Sequence, residues 1–137
     1  MATLPAIING VAIDLAPSAI GINLDQRLVD ALELSIRQDV ASGYPLKSLW
    51  ISSANDSHAA PSRHAIGKGI DISRVNGKYI FGGYNGDAAL TAIVNAMQDA
   101  FEKYPHRREN FGPHLKLKLG NAFSIGGHDD HIHFSVN

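Results

Sequence analysis

Cysteine is absent from the 137-residue chain. That excludes disulfide frameworks and thiolate metal sites, and it leaves the redox compartment unread. An excess of one charge is also missing. The formal net charge is -1, so no global field steers the protein onto nucleic acid. No apolar run approaches the ~20 residues of a membrane span, so a membrane partner is not expected. Met1-Ala2-Thr3-Leu4-Pro5 lacks a basic stretch, and Asp14 interrupts the next apolar segment. No Sec signal peptide is read, so synthesis in the cytoplasm without a Sec signal is expected. The hydrophobic share of 45% is ordinary for a globular protein. One domain over residues 1–137, and a monomer, are expected.

Along the chain, Ile7-Ile8-Asn9-Gly10-Val11-Ala12-Ile13 predicts a hairpin about an Asn-Gly turn. Residues 1–22 are read as an N-terminal arm or hairpin. Leu24, Leu28, Leu32, Ile36 and Val40 form an apolar stripe, which predicts a helix capped by Asn23 and stopped by Gly43 and Pro45. Leu46 to Ser53 predicts a strand. Gly69 to Ser73 and Lys78 to Phe81 predict two more, joined around Val75-Asn76-Gly77. Asp87 is placed to cap a second helix that buries Leu90, Ile93, Val94, Met97, Phe101 and Tyr104 and ends before Pro105. His114 to Leu119 alternates as a strand would, and Ile132 to Val136 closes the chain as another. Helices and strands do not interleave regularly. The expected class is α+β, a mainly antiparallel sheet with two main helices packed on it.

Two segments carry chemistry: Ser62-Arg63-His64-Ala65-Ile66-Gly67-Lys68-Gly69-Ile70-Asp71 and Asp130-His131-Ile132-His133. His64, Asp71 and His133 can supply two imidazoles and a carboxylate to one zinc ion and leave a position open for water, the arrangement of a catalytic site. Asp71 lies between Ile70 and Ile72, and a charge in an apolar strand needs a partner or a metal. Gly67 and Gly69 relieve the backbone between the two ligands of the first segment. In a strand, His131 and His133 would share a face, one on the metal and one beside it. Strict alternation would put Asp129, not Asp130, on that face.

The pattern Ser-x-His-x-x-Gly-x-Ala-x-Asp with a distal Asp-His-x-His resembles the zinc D-alanyl-D-alanine carboxypeptidase-like family. That family includes phage endolysins and shares a fold with hedgehog signalling domains. Residues 62–71 match at every fixed position except Gly69, where Ala is usual. The resemblance covers Leu46 to Val136, a motif-bearing core over residues 46–136. It implies a hedgehog-like fold and one zinc ion on His64, Asp71 and His133. It implies Asp130 as general base and acid, with His131 assisting in the transition state; Asp129, which strict alternation favours, is the reserve for the base. It further implies hydrolysis of bacterial peptidoglycan stem peptides, at L-Ala–D-Glu in preference to D-Ala–D-Ala, after release or delivery to the cell wall. A non-catalytic zinc-containing module on the same fold is the alternative.

The family's oxyanion-stabilising Arg has no counterpart in Ser52-Ser53-Ala54-Asn55-Asp56-Ser57. Arg63 is the preferred substitute, with His58 and His131 as further candidates. A donor of that kind is worth on the order of 10²–10³ in rate. Lys116 and Lys118 could hold substrate carboxylates, although a solvated face is the simpler reading, and the same holds for the basic cluster from Lys103 to Arg108. Tyr84 could line a groove. Trp50 and Phe111 are assigned to core packing, and His128 is left open as a residue near the metal.

Overall fold

The computed structural model describes residues 2–17, 23–54 and 67–137. The strands are β1 (Ala2–Thr3), β2 (Ile7–Ile8), β3 (Val11–Leu15), β4 (Asn23–Leu24), β5 (Ser48–Ser53), β6 (Gly69–Val75), β7 (Lys78–Tyr79), β8 (Arg107–Phe111), β9 (Lys116–Lys118), β10 (Asn121–Ala122) and β11 (Ile132–Val136). The helices are α1 (Gln26–Ser35) and α2 (Ala88–Phe101). The main sheet runs β10-β9-β8-β11-β6-β5-β3-β2, with β7 paired to β6. Among the described residues every pairing is antiparallel except that of β3 with β5. The class is therefore α+β with a mostly antiparallel sheet. Among the described residues no helix is long and apolar enough to cross a membrane.

Both expected hairpins form, and for the expected reason. Asn9 and Gly10 lie at φ +48° and +81°, Asn76 and Gly77 at +53° and +78°, the paired positive values that a type I′ turn needs. The N-terminal hairpin is part of the main sheet: β3 lies parallel to β5 from Ala12↔Ser48 to Leu15↔Ile51.

The first helix differs from expectation at both ends. Asn23 and Leu24 pair with Thr3 and Ala2 as a small ribbon, so the cap passes to Asp25, whose side chain accepts from Arg27 N at 2.9 Å. At the other end, the Asn9 amide donates to Glu33 O at 2.8 Å and Ile36 O at 3.0 Å. The hairpin takes carbonyls a longer helix would have used, and Ile36 turns extended at φ −103°, ψ 105°. The second helix begins as expected, with Asp87 accepting from Leu90 N at 3.0 Å.

One strand was not anticipated. β8 lies where the sequence shows only a basic cluster, and it pairs with both β11 and β9. Most of its buried polar groups have partners, the exception being Arg108 Nε, which is buried without one. Asn110, 1% exposed, accepts from Gln98 Nε2 at 2.9 Å and donates to Gln98 O at 2.8 Å. Arg107 Nε donates to Glu102 at 2.9 Å. The strand expected over 114–119 shortens to Lys116–Lys118, because His114 N and Leu115 N turn to Gln98 Oε1 at 3.0 and 3.1 Å.

Side-chain alternation sorts the sheet into two faces. Ile70, Ile72, Ile132, Phe134, Leu49 and Ile51 are buried with Leu28, Leu32, Ile93, Val94 and Phe101 in one core cluster. Phe134 stacks on Phe101 of α2 with centroids 4.1 Å apart. The opposite face carries the polar residues of the same strands.

Candidate functional site

A cross-strand row brings Ser53, Asp71, His133, Phe111 and Lys116 side by side on the face away from the helices. The register sets it: Ser53↔Asp71, His133↔Asp71, His133↔Phe111 and Phe111↔Lys116. Asp71 and His133 lie on neighbouring central strands, and their side chains are 18% and 11% exposed. His133 Nδ1 faces Asp71 Oδ1 at 2.8 Å. Its Nε2 meets Glu109 Oε1 at 3.0 Å. Glu109 is in turn held by Ser135, whose Oγ donates to Glu109 Oε1 at 2.8 Å and accepts from Glu109 N at 3.0 Å. Phe111 stacks on the His133 ring at 5.8 Å, which fixes the imidazole plane.

These contacts set the protonation of the metal-free protein. Burial pushes the His133 imidazole down, but the hydrogen bonds to Asp71 and Glu109 outweigh it and raise its pKa to about 9. The hydrogen bond from His133 holds Glu109 down at about 2, against the opposing effect of burial and with help from Ser135.

The loop before β11 supplies the rest. His131 precedes the strand rather than lying in it, so alternation does not decide which neighbouring aspartate joins it. Asp130 Oδ1 lies 2.7 Å from His131 Nδ1, and His131 Nε2 is 4.0 Å from Asp71 Oδ1. Asp129 points elsewhere: it pairs with Lys116 Nζ at 2.8 Å and is 80% exposed. His128 packs edge-on against Phe111 at 5.1 Å and lies 4.7 Å from the His131 ring. Burial, more than the neighbouring imidazoles, lowers its pKa.

The structure thus gathers Asp71, His131 and His133, with Asp130 on His131. His64 and Arg63 lie outside the described residues, as do Asp56 and His58. Gly67 adopts φ +72° as expected of a backbone-relieving glycine, whereas Gly69 is an ordinary strand residue opposite Ser135. Trp50, expected in the core, is instead half-buried with Arg74 over its ring at 4.3 Å. Phe111 is buried as expected, at 2% exposure. Lys118 lies over the Phe123 ring at 4.9 Å. Sequence reading missed Glu109; its only signal is an acid within a short polar stretch, which by itself points to a surface.

The donor chemistry fits two of the ligands of a zinc ion. Glu109 holds Nε2 of His133 and Asp71 holds Nδ1, so a metal shared by Nδ1 and the Asp71 carboxylate would take the place of their direct contact. A carboxylate on the far nitrogen is the usual way a ligating imidazole is oriented. Among the described residues, no three donors by themselves form a metal cage. A surface cleft of about 650 Å³ between Gln38 and Pro45 offers one carboxylate, Asp39, and no imidazole. The chain matches no protein-family model, no curated protein and no solved structure.

Proposed function

We propose that the chain is a zinc-dependent peptidase acting on the stem peptides of bacterial peptidoglycan, on a hedgehog-like fold. The observation that carries this reading is the meeting of Asp71 and His133 at 2.8 Å from positions 62 residues apart, with Glu109 behind the imidazole and the Asp130–His131 pair beside it. His64, Asp71 and His133 would hold one zinc ion, which when bound acidifies a coordinated water and polarises a carbonyl. Glu109 and Phe111 keep His133 in one tautomer and one plane. Asp130 accepts the proton of the attacking water and returns it to the leaving amine. His131, whose Nδ1–H donates to Asp130, presents Nε2 toward the Asp71 side, where the doubly protonated imidazolium would donate to developing negative charge. The two residues work as one proton-handling unit.

The test is digestion of purified cell walls, with mass spectrometry of the fragments and identification of the new amino terminus. A fresh D-Glu terminus is expected, rather than release of D-Ala. Asp130→Asn should lower release by at least ~100-fold while bound zinc, measured by atomic absorption, stays at one per chain. Zinc retention with no fragment from any wall would make the protein a binding module. Cleavage that survives chelation or loss of Asp130 would defeat the mechanism.

A further inference from the structure

A second cross-strand row lies on the same open face. Trp50 pairs with Arg74, and Arg74 with Tyr79. A bulge between the Trp50–Arg74 and Ile51–Ile72 pairs puts Arg74 on the Trp50 side, opposite the buried Ile51 and Ile72. The Arg74 guanidinium lies 4.3 Å from the Trp50 ring centroid and 4.3 Å from that of Tyr79. Its Nε is buried without an acceptor. Among the described residues the Arg74 side chain forms no hydrogen bond or ion pair. The nearest carboxylate along the row is Asp14, opposite Trp50 on β3, two strands away and so about 10 Å from Arg74 at the usual strand spacing.

Arg74 is half-buried. Arginines that leave water normally meet a carboxylate. Here two ring faces hold the guanidinium by cation–π contact, which fixes its plane and leaves the edge with the terminal N–H donors uncommitted. That edge is a preorganised fork for a carboxylate. Arg74 also lies three residues beyond Asp71 on the same strand, roughly 10 Å along it at ~3.3 Å per residue. That is the length of two to three residues of extended peptide.

We propose that Arg74, clamped by Trp50 and Tyr79, is a carboxylate-binding subsite, and that it anchors a free carboxylate of a short peptide lying along β6. The subsite takes a monoanion: a single guanidinium suits a carboxylate better than a phosphate dianion. Its place in a reaction rests on the peptidase reading, but its binding chemistry does not.

Trp50 is the chain's single tryptophan, so its emission reports on this site directly. The experiment titrates the full chain, with zinc and after chelation, with N-acetylated alanine tripeptides ending in a carboxylate or a carboxamide, and with inorganic phosphate at matched ionic strength. The expected result is a saturable change in Trp50 emission with the carboxylate peptide only. Arg74→Gln should weaken it about 10- to 100-fold, the range of a charge-assisted hydrogen bond. Arg74→Lys, which keeps the charge and loses the fork, should bind with intermediate affinity. Equal response to acid and amide in the unaltered chain overturns the proposal without any variant, as does binding unchanged in Arg74→Gln. Carboxylate preference with uncut cell walls leaves the subsite standing and removes the peptidase. Cleavage of walls at an unchanged KM in Arg74→Gln does the reverse.

Discussion

His133 is held at both ring nitrogens by carboxylates, Asp71 at 2.8 Å and Glu109 at 3.0 Å. For zinc, only Glu109 is in a position to orient without ligating. Glu109→Gln keeps the shape and removes the charge, and it should weaken zinc binding about 10- to 100-fold with the fold intact. Competition with a chromophoric chelator measures this, and unchanged affinity would assign Glu109 a merely structural role. The same triad makes the metal-free protein respond to pH. His133 is raised from 6.5 to about 9, so its contribution is full below pH 6.5 and is lost as the pH climbs toward 9. Glu109 is lowered from 4.5 to about 2, so its contribution is full above pH 4.5 and is lost as the pH falls toward 2. Urea unfolding of the chelated protein should therefore show its largest difference from chelated His133→Gln between pH 4.5 and 6.5. A difference that keeps growing above pH 7 would contradict these contacts.

At the level of elements, the ends of helices and strands follow from who claims the terminal backbone groups. Asn9 claims the carbonyls at the end of α1, and between β8 and β9 Gln98 accepts from His114 N and Leu115 N and donates to Leu115 O. Asn76 does the same for β5: its Oδ1 accepts from Lys47 N at 2.7 Å and Ser48 N at 3.1 Å, and its Nδ2 donates to Pro45 O at 3.0 Å. It also sits at φ +53°, a conformation Asn tolerates better than most residues. Asn76→Ala should destabilise the protein by about 2 kcal/mol in denaturant unfolding. A loss under 0.5 kcal/mol, the range of an ordinary surface substitution, would show that this side chain does not anchor the strand. Such anchors are hard to read in advance, because an Asn in an Asn-Gly pair announces a turn and says nothing of the strand it will bond.

For the molecule as a whole, one face of the main sheet is sealed by α1 and α2, and the other carries the Asp71–His133 row and the Trp50–Arg74–Tyr79 row. Zinc that binds only the folded chain stabilises it by about 4 kcal/mol at 1,000 times its Kd. Chelation should therefore lower the melting temperature and added zinc restore it, while His133→Ala responds to neither. Differential scanning fluorimetry decides this, and an unaltered protein indifferent to chelator and zinc would remove the metal from the account. The sheet also sets the limits of foresight. Asp71 and His133 were readable as candidates because their motifs name them. Glu109 was not, because β8 contains Arg107, Arg108, Glu109 and Asn110, and its strand character comes from pairing on both edges rather than from its own propensity.

Local chemistry alone determined the Asn9-Gly10 and Asn76-Gly77 turns, the Asp87 cap, the apolar faces of both helices and the strand character of Ile132–Val136, since each depends on residues within a turn or two of one another. Tertiary structure alone decided where α1 starts and stops, that Asp130 rather than Asp129 sits on His131, that Glu109 backs His133, and that Arg74 lies between two rings. Those outcomes depend on which strands pair and in what register, and register is set by burying one face of the whole sheet at once, a condition no short stretch of chain contains.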